Sequence, residues 1–327
     1  MEREGRECTR HPRTRSTGLP TGSWIATAQS SFLVNHVAEN MKPERPESGR
    51  TDSSSSLPAA TSRVSTWGRA WRQTGRLVLL LDFDGTLAPI VDRPELAAMP
   101  PETRHALEDI LTRSGVQAAI VSGRGMEDAR RLARLDGMIF AGNHGMEIGG
   151  PGVQEIHAEA ASARPALDEV IQAASPRLDE LSGAWIEDKG LTLSIHYRQV
   201  ERSEVQRVKE IVASTVQAHS NLRITEGKEV LEVRPRVDWD KGKAVEFLLD
   251  FFGPPNGTPA IYVGDDRTDE DAFIALSRWS GGLGEGVLVG DRTPGGTAAK
   301  SRVDGPREVA GLLWTLANEE PEQPPSA

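Results

Sequence analysis

Two aspartates separated by one residue, Asp82 and Asp84, follow directly after the apolar run Leu77–Leu81. Such a run predicts a buried strand. Two carboxylates at its end are costly to bury, unless a hard divalent cation such as Mg²⁺ compensates their charge. Gly85 permits a turn, and Thr86 adds a hydroxyl there. Taken alone, the pattern also fits a plain solvated aspartate turn after a core strand.

Two further clusters of polar side chains follow apolar runs later in the chain. Ser122 ends one run, and the acids Asp265, Asp266 and Asp269 follow another. In a parallel sheet the carboxyl ends of the strands meet at one edge, where ligands bind. Carboxylates from two such ends can share one octahedral Mg²⁺.

A lysine, Lys241, lies at the start of a predicted helix and adds a positive charge to these acids and hydroxyls. Its ammonium group and the helix N-terminus both favour a phosphate. The metal and the lysine would neutralise a phosphate, so that an anionic carboxylate could approach it. The pattern therefore indicates phosphoryl transfer through an aspartyl phosphate.

Alternating strands and helices surround these clusters and must position them. Their order predicts an α/β fold with a parallel sheet and right-handed crossovers. The predicted strands are 77–81, 116–121, 138–141, 260–263 and 286–289, and the predicted helices are 100–114, 127–135, 240–251, 269–277 and 306–317.

Between residues 163 and 233 the pattern changes to helix, two strands, helix, two strands. This order predicts a small α+β domain with a four-stranded antiparallel sheet, one face covered by helices and the other open. Because the parallel pattern returns after Pro235, the small domain is expected to be an insertion. Its predicted helices are 163–181 and 201–217, and its strands are 184–188, 191–197, 222–225 and 230–233.

The open face of the small sheet is expected to be polar, because alternate residues of each strand share a face. A charged and hydroxylated face suits a polyhydroxylated ligand, although an ordinary solvent-facing sheet would show the same alternation. The polar side chains that share faces are Glu187 with Lys189, the set Thr192, Ser194, His196 and Arg198, and Glu232 with Arg234.

The composition argues against several classes of function. A net charge of −10 over 327 residues argues against general nucleic-acid binding. No apolar run reaches the roughly 20 residues of a membrane helix. The single cysteine, Cys8, excludes an internal disulfide framework and a multi-cysteine metal site, and it fits a cytoplasmic location.

Both ends of the chain are expected to be irregular. Residues 1–66 are rich in Arg, Pro, Gly and Ser without periodicity, which predicts a disordered tail. A further hypothesis is that translation of the natural protein starts at Met41. Residues 319–327 are acidic and rich in proline, which predicts a loose C-terminal tail.

In their order and spacing, the motifs resemble those of the haloacid dehalogenase superfamily of phosphatases. The resemblance covers about residues 76–318. It implies a Rossmann-like core at 76–147 and 236–318, interrupted by a type C2 cap at 148–235. The matching residues are Asp82-Phe83-Asp84-Gly85-Thr86 for the first motif, Ser122 for the second, Lys241 for the third and Gly264-Asp265-Asp266 for the fourth.

The resemblance implies a role for each motif residue. Asp82 would be the nucleophile, and Asp84 the general acid for the leaving oxygen and then the base for water. Ser122 and Lys241 would hold the phosphoryl oxygens. Lys243 is a rival for the third motif, but the family places a glycine directly after the lysine, which favours Lys241.

The resemblance also implies a Mg²⁺ site. Asp82, the backbone carbonyl of Asp84 and Asp265 would be its ligands. Asp266 or Asp269 would help, either directly or through water.

Other segments resemble the trehalose-6-phosphate phosphatase family within that superfamily. This narrower resemblance implies Mg²⁺-dependent hydrolysis of trehalose 6-phosphate to trehalose and phosphate. It rests on Gly264–Phe273, Gly142–Gly145, Trp239–Gly242, Glu187–Gly190 and His196–Arg198.

The family resemblance also implies a binding face for the sugar and a second enzyme. A synthase that makes the phosphosugar would act in the same cell. On the core side, Asn143 and His144 would face the cap. The cap residues that match the family's sugar-binding positions are Glu187, Lys189, Arg198, Lys228 and Glu232.

Rival functions remain open at the sequence level. The core motifs do not distinguish trehalose 6-phosphate from sucrose 6-phosphate or from a glucosylglycerol- or mannosylglycerate-type phosphate. A receiver-like phosphoacceptor, or a phosphosugar-binding regulator without turnover, is a rival of another class. A receiver lacks a cap, and a regulator is expected to lose a motif residue, whereas Asp82, Asp84, Lys241 and Asp265 are all present.

Overall fold

The computed structural model describes residues 57–91, 93–227, 229–291 and 296–319. The expectations for residues 1–56, for residues 320–327 and for the side chain of Lys228 fall outside these ranges. Among the described residues, no helix combines the length and the apolar character needed to cross a membrane.

An eight-stranded sheet organises the larger part of the molecule. Its first six strands pair in parallel, and the last two extend it in antiparallel fashion. In pairing order the strands are β12 (Ser301–Val303), β11 (Gly282–Val289), β10 (Thr258–Gly264), β1 (Leu77–Leu81), β2 (Val116–Val121), β3 (Ile139–Gly142), β4 (Glu147–Gly150) and β5 (Val153–Ile156).

Helices cover both faces of this sheet, so its central strand is apolar throughout. In β1, Leu77, Leu79 and Leu81 enter one core, and Val78 and Leu80 enter the other. One face is covered by α1 (Val64–Thr74), α2 (Pro101–Leu111), α3 (Met126–Ala133) and α9 (Pro306–Ala317), and the other by α7 (Lys241–Phe252) and α8 (Asp269–Arg278).

A four-stranded antiparallel sheet is inserted between β5 and α7. In pairing order its strands are β6 (Trp185–Asp188), β7 (Leu193–His196), β9 (Val230–Pro235) and β8 (Leu222–Glu226). The side chains of Leu193, Ile195 and Leu231 pack against α5 (Arg164–Leu178) and α6 (Val205–Val216), and the short α4 (Ala158–Ser162) precedes them. The prediction of an α/β core with an inserted α+β element is confirmed.

The opposite side of this small sheet, which we call the open face, has two rows of side chains that concern the site. The middle row consists of Glu187, Ser194 and Glu232, which are register partners across β6, β7 and β9. The outer row, two residues further along each strand, consists of Trp185, His196 and Val230.

Several predicted boundaries differ from the structure. Residues 57–66 are not disordered: they include a 3₁₀ turn at Ala60–Arg63 and the start of α1. This segment folds because Trp67 and Trp71 are fully buried, and the Trp67 indole donates to Glu285 at 3.1 Å.

The small sheet also begins later than residue 148, since β4 and β5 pair with the large sheet. At the other end, Glu319 is not loose, because it accepts a hydrogen bond from Arg72 at 2.7 Å.

Candidate active site

The carboxyl ends of β1, β2 and β10 bring the predicted site residues to one edge of the large sheet. Asp82 follows β1, and its N–H donates to the carbonyl of Val263 in β10 at 2.9 Å. Because Leu81 is the register partner of Val263, Asp82 lies beside the segment that begins at Gly264. The sheet register alone therefore brings the two acidic clusters together.

Lys241 connects these clusters. Its ammonium group donates to Asp82 and to Asp269, each at 2.7 Å, and all three side chains are buried. Lys243, the rival lysine, instead donates to the backbone carbonyl of Asp238 at 2.7 Å. The geometry therefore places Lys241, and not Lys243, at the sheet edge.

The charges at this edge are unbalanced. Burial raises the pKa of Asp82 well above its ordinary value, against the opposing effect of Lys241. Burial and the charges of Asp269 and Asp266 raise the pKa of Asp265 to about 7. For Lys241, burial alone would lower the pKa, but Asp269 and Asp82 raise it well above its ordinary value. The buried lysine thus faces more carboxylates than it can neutralise.

Asp269 organises the loop after β10. One carboxylate oxygen accepts from Lys241 and from the Tyr262 hydroxyl at 2.7 Å, and the other accepts from the backbone N–H groups of Asp265 and Asp266 at 2.9 and 3.0 Å. The sequence motifs do not single out Tyr262, because it lies within the apolar strand β10. Both oxygens of Asp269 are therefore engaged by protein groups.

The same edge has the donor set of a divalent-cation site. Carboxylate oxygens of Asp82, Asp265 and Asp269 lie within 4.8 Å of one another. Asp266 is occupied differently, since one of its oxygens accepts from the N–H and the hydroxyl of Thr268 at 2.8 and 2.7 Å. Hard oxygen ligands and excess negative charge fit a hard divalent cation, which Asp82 and Asp265 could hold.

Gly85 allows the first motif to approach these acids. Its φ of +84° lies in the left-handed region, and a Cβ atom there would lie 2.1 Å from a carboxylate oxygen of Asp265. A side chain at this position would therefore strain the turn and displace the acid.

Asp84 is held by an arginine that the sequence motifs do not single out. The guanidinium of Arg124 donates to both carboxylate oxygens of Asp84, at 2.6 and 2.7 Å. It also donates to Asp128 at 2.8 Å and to the carbonyl of Pro94 at 2.9 Å. Arg124 is only 6% exposed, and although burial would lower its pKa, Asp84 and Asp128 raise it. The available signal is its place directly after Ser122-Gly123.

Ser122 and the segment Asn143–Gly145 complete the core side of the site. Ser122 is buried, and its hydroxyl oxygen accepts from the N–H of Arg124 at 3.2 Å. Asn143 has φ +50°, and its amide group donates to Glu147 at 2.7 Å and to the carbonyl of Lys189 at 2.9 Å. Its amide oxygen accepts from Thr192 at 2.6 Å. Asn143 therefore ties the large sheet to the segment between β6 and β7.

The middle row of the open face lies against the edge of the large sheet. Glu232 approaches His144 at 3.4 Å and Lys189 at 3.5 Å, and the ammonium group of Lys189 also donates to the carbonyl of Gly123 at 3.3 Å. Burial lowers the pKa of His144. Burial would raise the pKa of Glu232, but His144 and Lys189 hold it below its usual range.

The other predicted sugar-binding residues divide into two groups. Glu187 lies in the middle row and contacts His196 at 2.8 Å. Arg198 instead pairs with Glu229 at 3.0 Å, beyond the outer row of the open face, and Lys228 is outside the described residues. The structure thus gathers Glu187, Lys189 and Glu232 near the core, together with Asn143 and His144, but not Arg198.

Known proteins are similar to this chain over most of its length. A family model described as trehalose-phosphatase matches residues 80–306. A probable trehalose-phosphate phosphatase D of Arabidopsis thaliana is 36% identical over 308 residues, covering 90% of this chain and 82% of the relative. Trehalose 6-phosphate phosphatase RA3 of Zea mays is 39% identical over 265 residues, covering 76% and 72%.

Solved structures share the fold. The C-terminal domain of a C. albicans trehalose-6-phosphate phosphatase superposes with a TM-score of 0.66 at 24% identity, covering 81% of this chain and 99% of that domain. A trehalose-6-phosphate phosphatase related protein gives 0.64 at 24% identity, covering 74% and 97%. The family match spans the first acidic motif, the whole inserted sheet and the second acidic cluster, and on this ground the chain belongs to the trehalose-phosphatase family.

Proposed function

We propose that this chain hydrolyses trehalose 6-phosphate to trehalose and inorganic phosphate. The observation that carries the proposal is the buried contact of Lys241 with Asp82 and Asp269, at 2.7 Å each, within a chain of the trehalose-phosphatase family. The relatives named above support the substrate, and the polar middle row of the open face offers hydrogen-bonding groups for a sugar.

In the first step, a carboxylate oxygen of Asp82 attacks the phosphorus atom. The bond between phosphorus and the sugar oxygen breaks, and Asp84 gives its proton to that oxygen. Lys241 already contacts Asp82, so its ammonium group can stabilise the phosphoryl oxygens during the attack. Ser122 would donate a hydrogen bond to one of them.

In the second step, Asp84 takes a proton from water, and the resulting hydroxide attacks the phosphorus of the aspartyl phosphate. The Asp82 carboxylate is released with inorganic phosphate. Arg124 donates to both oxygens of Asp84 and so holds the carboxyl group in position. One of these bonds has to be released while Asp84 carries the proton.

We further propose Mg²⁺ as the cofactor, held by Asp82, Asp265 and the backbone carbonyl of Asp84. When bound, the cation supplies charge neutralisation for the phosphate. Thermal unfolding tests this part, because Mg²⁺ is expected to raise the Tm of the wild type and not that of Asp265→Asn. Equal rises in both proteins would remove Asp265 from the ligand set.

The sugar is proposed to bind between the core edge and the middle row, where Glu187, Lys189 and Glu232 can bind its hydroxyl groups. The proposal implies an enzyme that supplies the substrate, namely a synthase that joins a glucosyl donor to glucose 6-phosphate.

The deciding experiment measures phosphate release from trehalose 6-phosphate, sucrose 6-phosphate and glucose 6-phosphate, with Mg²⁺ and with EDTA. We expect the highest kcat/KM for trehalose 6-phosphate and no turnover in EDTA. Asp82→Asn is the background control. Equal rates on the three esters would remove the disaccharide assignment and leave the phosphatase assignment standing, whereas a preference for sucrose 6-phosphate would replace the substrate.

A further inference from the structure

A large aromatic side chain is exposed on the open face. Trp185 is 43% exposed, and it precedes Glu187 by two residues in β6, so both side chains point to the same side of the small sheet. Burial of an indole is ordinarily favourable. An exposed indole beside a polar binding face therefore requires an explanation of its own.

The indole is fixed in one orientation by its neighbour. Trp185 stacks on the imidazole of His196, with ring centroids 4.0 Å apart and planes inclined by 11°. His196 is held in turn by Glu187 at 2.8 Å. Because the imidazole covers one face of the indole, the exposed area lies on the other face and on the ring edges.

The position of this indole relative to the reaction centre is set by the strand register. Trp185 lies in the outer row, and the middle row contacts the core through Glu232 and His144. Two residues along a strand span about 6.8 Å. A sugar ring whose phosphate lies at Asp82 and whose hydroxyl groups meet the middle row would thus leave the next ring within reach of the outer row.

We propose that the indole of Trp185 is a stacking platform for the sugar ring remote from the phosphate. The apolar C–H face of a pyranose packs against an aromatic face, and an indole already fixed by His196 loses little rotamer entropy on binding. The platform selects a disaccharide phosphate over a hexose phosphate, since a hexose phosphate has no second ring to stack. This inference rests on the proposed function.

The test compares Trp185→Ala and Trp185→Phe with Trp314→Ala as the matched control. Trp314 is 61% exposed on α9, and it has no place in the proposed site. In Trp185→Ala, KM for trehalose 6-phosphate should rise about fivefold, the size of an aromatic contact, while kcat/KM for glucose 6-phosphate stays at the wild-type value. Trp185→Phe should restore most of the affinity, and Trp314→Ala should match the wild type on both substrates.

Two outcomes would overturn the platform. One is an unchanged KM for trehalose 6-phosphate in Trp185→Ala. The other is an equal fall of kcat/KM on both esters, as expected if the indole only stabilises the fold of the small sheet.

Failure of the proposed function is distinguishable from failure of the platform. If the wild-type protein releases no phosphate from trehalose 6-phosphate, binding of trehalose itself is measured by calorimetry. The platform then predicts that Trp185→Ala binds trehalose more weakly than Trp185→Phe, which keeps most of the wild-type affinity. Equal binding to all three, or no binding to any, contradicts the platform.

Discussion

The edge of the large sheet and the open face of the small sheet differ in how closely their polar side chains contact one another. At the sheet edge, Lys241, Asp82 and Asp269 are buried and meet at 2.7 Å. Across the two sheets, Glu232 lies 3.4 Å from His144 and 3.5 Å from Lys189. Among the described residues, Nδ1 of the buried His144 has no hydrogen-bond partner, and Nε2 has only the long contact with Glu232.

This difference indicates that the sheet edge would act on the phosphate and that the open face would bind the sugar. Asp82 and Lys241, which would act on the phosphate, already lie in contact, so this pair needs little reorganisation during the reaction. The groups that would hold the sugar leave polar atoms for a ligand to satisfy. Substitutions at the sheet edge should therefore lower kcat, and substitutions on the open face should raise KM.

The largest effect is expected for Asp82→Asn. An amide cannot serve as the nucleophile, so turnover should fall on the order of 10⁴-fold or more. Binding of trehalose should persist, since the open face is unchanged. Phosphate release and calorimetry measure the two quantities, and Asp250→Asn, at an exposed position of α7, is the control. Near-normal turnover in Asp82→Asn would show that another residue attacks the phosphate.

Lys241→Met should affect both activity and stability. Removing the ammonium group leaves Asp82 and Asp269 buried without their cation, which costs about 3–5 kcal/mol in the free energy of unfolding. Turnover should fall roughly 10³-fold. Lys243→Met is the matched control, because Lys243 is half-buried and contacts Asp238 outside the site. Urea unfolding and phosphate release should give a near-wild-type Lys243→Met, and equal losses in both variants would argue against the assignment of Lys241.

Arg124→Gln is expected to have a smaller effect that depends on the leaving group. Without the two bonds from Arg124, Asp84 is no longer fixed, and a misplaced proton donor should slow trehalose 6-phosphate hydrolysis about 100-fold. Hydrolysis of p-nitrophenyl phosphate should change much less, because its leaving group needs no proton. Arg131→Gln is the control, since Arg131 shares Asp128 but is exposed. An equal loss on both esters would mean that Arg124 only stabilises the fold.

These three residues also show how far the sequence predicts the site. Asp82 and Lys241 are marked by local patterns, an apolar strand before the acid and a helix start with a glycine after the lysine, and the parallel sheet brings them together. The only local signal for Arg124 is its place directly after Ser122-Gly123, and this does not predict its contact with Asp84, 40 residues away in the sequence. A pairing of this kind follows from the packing of the loops and not from spacing.

For the fold too, the sequence predicts what depends on neighbouring residues and not what depends on contacts between distant ones. The periodicity of the strands and helices predicts both sheets. It does not predict that β4 and β5 extend the large sheet, because antiparallel pairing of short strands is set by tertiary contacts. The disorder predicted up to residue 66 is wrong for residues 57–66 for another reason. Their own composition is polar, but they lead into α1, where Trp67 and Trp71 are buried.

The smallest effect is expected on the open face, and it is the sharpest test of the comparison. Glu232→Gln keeps the shape of the side chain but removes its charge, so one acceptor for the sugar hydroxyls weakens and Lys189 and His144 lose their anionic partner. KM for trehalose 6-phosphate should rise about tenfold, the loss of roughly one charged hydrogen bond, with kcat nearly unchanged. Hydrolysis of p-nitrophenyl phosphate, which has no sugar, should be unaffected. Glu226→Gln, whose carboxylate pairs with Lys209 at an exposed position, is the control. If Glu232→Gln lowered kcat on both esters instead, Glu232 would belong with the groups that act on the phosphate, and the separation between the two regions would fail.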